Sequence, residues 1–328
     1  MKPYSIGIDI GGTKCSVVLG RTREAESLPD DPILDKDRFP TKAEMGPDYI
    51  IGNLCASLRG LLKAHSIRPD EIHAIGVSCG GPLDHVRGII MNPPNLFGWD
   101  NIPLAKILED QFHVPVLIQN DANACALAEW RFGAARGYKN IIFLTFGTGL
   151  GAGLILDGRL YTGTNDMAGE VGHIRLENQG PVGFGKAVSF EGFCSGGGIA
   201  QLAGFKVLER LQMGDKPSFC PDLSALNQLS AKDVAIAADR GDELAKEIYR
   251  LCGHYLGRGI SILTDILNPE IIVIGSIYER SSHLLQDSMM ASFHQEALPI
   301  SRNCCKIVPA LLGDRIGDFA ALSVALEI

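Results

Sequence analysis

Two stretches of this 328-residue chain are weak copies of one another. Near the start lies Tyr4-Ser-Ile-Gly-Ile-Asp-Ile-Gly-Gly-Thr-Lys-Cys-Ser-Val-Val-Leu19, and further on Ile141-Ile-Phe-Leu-Thr-Phe-Gly-Thr-Gly-Leu-Gly-Ala-Gly-Leu-Ile-Leu156. Each reads as strand, glycine-rich turn, strand, because β-branched and apolar runs flank Gly11-Gly12-Thr13 and Gly147-Thr148-Gly149. Glycines let backbone N–H groups approach an anion, and successive N–H groups make a cradle for phosphate. Either segment alone is an ordinary hairpin. Together, with the carboxylate of Asp9 and the hydroxyls of Thr13, Thr145 and Thr148, they point to a paired grip on a nucleotide triphosphate, with Asp9 placed to hold Mg²⁺.

Gly147, Gly149 and Ala152 also fit the dinucleotide fingerprint G-x-G-x-x-G/A, but that turn must open a helix whose N-terminus meets pyrophosphate. Here an apolar run and an Asp157-Gly158 turn signal follow, so strand and hairpin are expected and nicotinamide binding is not.

With 46% hydrophobic and 21% charged residues, the chain belongs to the globular class. Its length favours two domains. The formal net charge of −8 gives no electrostatic footprint for nucleic acid or anionic membrane. No apolar run is long enough to span a bilayer. The strand-like start at Tyr4 leaves no signal-peptide pattern. Nine scattered cysteines without a C-x-x-C spacing suit reduced thiols in a cytoplasmic protein.

The first part reads β-β-β-α-β-β-α-β. Polar, proline-bearing Arg21 to Asp37 reads as a surface loop. Helical spacing runs from Pro47 to His65 and from Leu104 to Phe112, with strands at Ile72 to Cys79 and Pro115 to Gln119. Helix Asn123 to Phe132 follows. Beyond the second hairpin the chain is mostly helical: Ile199 to Leu211, Ala231 to Ala238, Glu243 to Leu267 and Leu284 to Phe293. Strands are expected at Ile271 to Ile274 and Ile307 to Pro309, and a last helix from Asp318 to Leu326. Alternating strands and helices give the α/β class. The expected division is 1–121, 122–313 and a terminal helix, 314–328, crossing back over the first domain.

Asp121, in Gln119-Asn-Asp-Ala-Asn-Ala124, sits where a strand ends, the place where α/β sheets collect ligands. It could take the proton of a substrate hydroxyl attacking a γ-phosphate. An Asp there is also a good helix N-cap. The flanking Asn120 and Asn123 are more polar side chains than capping needs. In Gly169-Glu-Val-Gly-His173, Glu170 and His173 are three apart and could share one face of a turn. With Glu191 they offer acceptors suited to sugar hydroxyls, although each is also an ordinary structural or solvated residue. Asn95, in the rigid Asn92-Pro-Pro-Asn-Leu-Phe-Gly-Trp99, could present an amide to a polyol, while Phe97 and Trp99 could plug a core. Gly81, in Gly80-Gly-Pro82, could bring backbone to the same substrate. Gly275, closing the strand from Ile271, could lie against an adenine ring.

These pieces, with Asp9-Ile-Gly-Gly-Thr-Lys14, Gly80-Gly-Pro-Leu-Asp84 and Thr145-Phe-Gly-Thr-Gly-Leu-Gly151, resemble the ROK family of sugar kinases and related repressors. They occur in that family's order over most of the chain. The resemblance implies the two-lobed actin-like, hexokinase-like (ribonuclease H-like) ATPase fold, with domain closure around the substrate. It implies ATP phosphates at Gly11, Gly12, Thr13 and Lys14 and at Thr145, Gly147, Thr148 and Gly149, Mg²⁺ near Asp9, and nucleotide-base contact at Gly275. It implies Asp121 as general base for a sugar hydroxyl, usually the 6-hydroxyl. Sugar contacts are implied from Asn95, Asn120, Glu170, His173 and Glu191, with backbone at Gly81, and a homodimer is implied by resemblance alone.

Two departures stand out. The family's cysteine cluster, which binds structural zinc with the histidine, is missing: Gly183, Gly185 and Ser189 stand about where thiolates would be, and Cys194 is the one cysteine nearby. No zinc site is expected. Gly275 is followed by Ser276, where a second glycine is usual. The expected function is ATP-dependent phosphorylation of a hexose or N-acetylhexosamine. The alternative is an inactive sugar-binding or regulatory protein of the same fold. A repressor would need a DNA-binding segment ahead of Tyr4 and a friendlier charge.

Overall fold

The computed structural model describes residues 2–22 and 31–327. The chain forms two compact units. One comprises Met1–Gly137, Gly153–Ala168 and Leu311–Ile328; the other, Tyr138–Ala152 and Gly169–Ala310.

The first sheet begins with β1 (Tyr4–Ile10) and β2 (Lys14–Arg21), joined through Gly11–Thr13, whose turn closes by Gly11 N–H donating to the Lys14 carbonyl at 3.1 Å. β3 (Ile33–Pro40), α1 (Gly46–Ala64), β4 (Ile72–Cys79), a small hairpin of β5 (Leu83–Asp84) and β6 (Ile89–Ile90), α2 (Leu104–Phe112), β7 (Val116–Asn120) and α3 (Asp121–Phe132) follow. The strand order is β3-β2-β1-β4-β7. β1, β2 and β3 are antiparallel neighbours, and β4 and β7 run parallel to β1. Ile6, Ile8 and Ile10 of β1 pack with Ile50, Leu54 and Leu58 of α1 and Leu104 and Leu108 of α2 in one core.

β3 corrects the expectation of a loop from Arg21 to Asp37. The stretch at 23–30 lies outside the described residues. From Ile33 the chain is paired to β2, Lys36 opposite Val18 and Arg38 opposite Ser16. The alternation was hidden because an edge strand keeps charges where a central strand would bury apolar groups, here Asp35, Lys36, Asp37 and Arg38.

The second sheet is built from β8 (Ile141–Phe146), β9 (Leu150–Leu156), β10 (Arg159–Tyr161), β13 (Ile271–Ile274) and β14 (Lys306–Pro309), in the order β10-β9-β8-β13-β14. Between β10 and β13 lie the small hairpin of β11 (Val182–Gly183) and β12 (Lys186–Ala187), then α4 (Phe190–Phe193), α5 (Gly196–Gln212), α6 (Ala231–Asp239) and α7 (Glu243–Leu267). α8 (Ile277–Glu296) and α9 (Pro299–Cys304) carry the chain from β13 to β14. β10 is antiparallel to β9, and β13 is parallel to both β8 and β14. Numbered along their own stretches, both sheets have the order third-second-first-fourth-fifth. The likeness of the two glycine-turn segments therefore extends to whole-sheet topology.

α10 (Ile316–Val324) covers the other face of the first sheet. Contact is close because β1 and β4 present paired glycines there, Gly7 opposite Gly76. A Cβ at Gly76 would come within 2.3 Å of Ala325 N and 2.4 Å of the Ala321 carbonyl oxygen, and one at Gly7 within 2.7 Å of Leu322 N. Backbone cannot yield as a side-chain tip can. Gly76→Val is expected to cost about 3 kcal/mol or more, read as a lowered midpoint in chemical denaturation. An unchanged midpoint would mean that α10 can be displaced freely.

Candidate active site

In the first unit, the carboxyl ends of β1, β4 and β7 gather Asp9, Gly80-Gly81 and Asn120-Asp121. Side chains alternate along β1, so Asp9 shares the α10 face with Gly7. A Cβ on Gly317 of α10 would lie 2.9 Å from Asp9 Oδ2. Desolvation by burial, then repulsion from Asp121 and Asp318, raises the Asp9 pKa to about 6, against the pull of Lys14 and Arg38.

The cap of α3 is Asn120, whose Oδ1 accepts from Asn123 N–H at 3.0 Å. Asp121 stands one residue inside the helix, and its Oδ1 accepts from Ala122 N–H at 2.8 Å. Part of the Asp121 surface is open, yet the protein atoms crowding the carboxyl strip enough hydration to raise its pKa. Gly81 adjoins Asn120: a Cβ there would be 3.8 Å from Asn120 Nδ2. Gly12 lies against Asn95, whose Cβ would be 2.9 Å from an added methyl. Phosphate-turn and sugar candidates thus meet within this unit. In the loop that carries Asn95, Trp99 is buried in the core while Phe97 is 74% exposed.

Asp318 escaped sequence reasoning. It is 1% exposed and receives hydrogen bonds from Lys36 Nζ (3.0 Å), Arg38 Nη2 (2.8 Å) and Ser16 Oγ (3.4 Å). Burial works to raise its pKa, but the bonds from Arg38 and Lys36 prevail and hold it below the ordinary carboxylate value. Its signal was a lone acid in the apolar helix Ile316-Gly-Asp-Phe-Ala-Ala321, where an unpaired charge is not tolerated. Arg38, Ser16, Asp9, Ser78 and Gln119 face one another strand by strand, a polar row across the sheet.

In the second unit, the Gly147–Gly149 turn closes by Gly147 N–H donating to the Gly149 carbonyl at 3.1 Å, and Thr145 Oγ1 accepts from Gly151 N–H at 2.9 Å. Glu191 of α4 is tied to this turn: its Oε2 accepts from Leu150 N–H at 3.0 Å, and a Cβ on Gly149 would come within 2.7 Å of that oxygen. Gly275 follows β13, with its N–H donating to the Leu144 carbonyl at 3.0 Å. Next to it, Ser276 takes φ 60°, and a Cβ on Gly147 would be 3.5 Å from Ser276 Oγ. Val171–His173 form one 3₁₀ turn entered from Glu170, with Glu170 and His173 both exposed. Residues three apart eclipse in such a turn.

Where zinc ligands would be needed, the β11–β12 hairpin turns through Phe184 (φ 39°) and Gly185 (φ 74°). The Phe184 ring meets the His173 ring edge-on at 5.8 Å. Lys186 Nζ donates to the His173 carbonyl at 2.5 Å. Ser189 caps α4, and buried Cys194 points its thiol at the Cys252 carbonyl. This donor set does not fit a zinc ion. Among the described residues, no group of three or more His, Cys, Asp or Glu side chains could hold a metal. Mg²⁺ needs fewer protein ligands, since one or two carboxylates with substrate phosphates suffice.

A family model described as ROK family matches residues 5–328. This chain is a member of the ROK family. It is 33% identical over 316 residues to a glucokinase of Halalkalibacterium halodurans, covering 96% of this chain and 92% of that protein. The crystal structure of a ROK family glucokinase from Streptomyces griseus, in complex with glucose and AMPPNP, superposes with a TM-score of 0.74 at 27% identity, covering 98% of each chain. A ROK family transcriptional regulator, a homologue of the E. coli MLC protein, superposes with a TM-score of 0.82 at 25% identity, covering 98% of this chain and 78% of that one. The fold is accordingly the α/β actin-like, hexokinase-like fold of ROK hexokinases and glucokinases. Among the described residues, no helix of this ROK protein is long and apolar enough to cross a membrane.

Proposed function

We propose that the chain is an ATP-dependent sugar kinase that phosphorylates a hexose or N-acetylhexosamine at the 6-hydroxyl, with Asp121 as general base. The observation that carries this reading is the division of labour at the start of α3. Asn120 does the capping, so Asp121 is not needed for it. Asp121 keeps a carboxylate at a strand's carboxyl end with its pKa raised by desolvation, the condition that makes a base effective nearer neutral pH.

In the proposed reaction, Asp121 accepts the proton of the sugar hydroxyl. The freed oxygen bonds to the γ-phosphorus while the bond to the bridging oxygen of ADP breaks, so ADP and a sugar phosphate are the products. Backbone N–H groups of Gly11–Lys14 and Gly147–Gly149 hold the phosphates. Asp9 would hold Mg²⁺, which neutralises charge on the phosphate oxygens when bound. Asn95, Asn120 through its amide nitrogen, Glu170, His173, Glu191 through Oε1, and the backbone at Gly81 orient the sugar. Gly275 receives the nucleotide base. A homodimer in solution belongs to the same reading, as do small molecules rather than nucleic acid or membrane as partners.

The similarity to a transcriptional regulator supports a second reading, a sugar-binding regulatory protein without turnover. A panel of hexoses and N-acetylhexosamines with MgATP, read by ADP release, separates the two. At least one sugar should accelerate ADP release by ~10² or more over the sugar-free rate, a modest demand on enzymatic phosphoryl transfer. Sugars that raise the melting temperature while none releases ADP would establish the second reading instead.

A further inference from the structure

A histidine–carboxylate pair lies apart from the residues assigned above. His85, the first residue after β5, and Asp166, in the loop Thr162–Ala168, belong to the same unit. One carboxylate takes both arms of the histidine: Asp166 Oδ2 accepts from His85 N–H at 2.8 Å, and Oδ1 meets His85 Nδ1 at 2.5 Å. The Asp166 side chain is 10% exposed and that of His85 34%. Asp166 holds φ at 63°, a left-handed backbone that a side chain adopts at a cost and that persists where surroundings enforce it. Nothing in the loop's own closure requires this side chain, since Ala168 N–H donates to the Thr162 carbonyl at 3.1 Å independently.

Both ends of the contact lead by sequence into proposed sugar-binding residues. Gly81 lies four residues before His85, and Glu170 four residues after Asp166. A two-point, charge-assisted grip fixes position and direction together, which one hydrogen bond does not. A misplacement of about 1 Å in groups that orient a substrate can cost ~10²-fold in rate.

Resting on the sugar-kinase reading, we propose that His85 and Asp166 form a latch that sets the geometry of the sugar-binding loops, making both positioning residues that touch neither sugar nor phosphate. The tests are Asp166→Gly, His85→Ala and Asp166→Asn, each assayed for sugar KM, MgATP KM and kcat and followed by hydrogen exchange. Glycine takes a left-handed φ without strain and has no side chain to grip His85, so Asp166→Gly removes the latch while the loop keeps an unstrained backbone. Asn tolerates the same φ and keeps an amide that can answer both arms.

Asp166→Gly and His85→Ala should raise sugar KM about tenfold or more while leaving MgATP KM within about twofold, and Asp166→Asn should stay within about threefold of wild type. Amides at 162–168 should lose protection in the first two variants and keep it in the third. Unchanged sugar KM in Asp166→Gly, or a parallel loss in sugar and MgATP KM, would overturn the latch. If the wild-type chain phosphorylates no sugar, the kinase reading falls by itself. Hydrogen exchange then decides the latch: lost protection in Asp166→Gly with retention in Asp166→Asn upholds it, and equal protection in every variant ends it.

Discussion

Asp121→Asn should lower kcat by ~10²–10⁴, the usual worth of a positioned general base, with sugar KM nearly unchanged. Asparagine keeps an oxygen for Ala122 N–H, the bond that Asp121 Oδ1 accepts in the first turn of α3. The cap is Asn120 and is untouched, so the variant should melt close to wild type. The pH dependence gives a second reading of the same group. Desolvation by the protein atoms crowding its carboxyl raises the Asp121 pKa, and a base works only when ionised. The acid limb of the pH–kcat/KM profile should therefore lie above the ~4 of an ordinary carboxylate, with activity falling as pH drops through it. Near-wild-type turnover in Asp121→Asn would remove Asp121 from the chemistry.

Asp9→Asn should move activity and stability in opposite directions. The Asp9 pKa is raised to about 6 in the folded protein, against an unfolded value near ~3.9. The folded state thus binds the proton more tightly than the unfolded chain does. The stability associated with Asp9 is fully present below the unfolded pKa and is lost as pH rises through about 6. A difference of about two units corresponds to roughly 3 kcal/mol, and for a half-buried group beside two other acids about 1–3 kcal/mol is the realistic range. At pH 7.5 the ligand-free Asp9→Asn protein should be more stable than wild type by that amount, and near pH 4 the gain should vanish. Phosphoryl transfer should fall by ~10² or more, because the carboxylate offered to Mg²⁺ is gone. Denaturation at both pH values, together with a turnover assay, checks the pair of effects. A destabilised Asp9→Asn at pH 7.5 would show that Asp9 is a structural acid rather than one held under repulsion.

That tension between acids explains the unusual partner set on β3. Asp318 is buried beside Asp9, and without Lys36 and Arg38 a second uncompensated carboxylate would face the same site. Removing one partner of a buried pair is costly because a desolvated charge is left behind. The edge strand carries charge where a surface loop was expected because one of its faces serves this need.

Periodicity and punctuation made much of the fold legible. Ile72 to Cys79, Leu104 to Phe112, Glu243 to Leu267 and Ile271 to Ile274 were read with the bounds they have in the structure. Each is set by local patterning, period 2 or 3.6, ended by a glycine, proline or asparagine signal. The two glycine turns and the motif order were enough to indicate the family. By itself, then, the sequence determined the α/β class, the two hairpins and the chemical types available at the strand ends, since these follow from backbone sterics and side-chain alternation over a few neighbours. Tertiary structure alone decided which of Asn120 and Asp121 caps α3, that Phe184 meets His173, that His85 grips Asp166, and that Ser16 finds Asp318 across 302 positions. Those outcomes depend on how crossovers bring distant strand ends and helices together, and no local period records where a buried charge will find its partner.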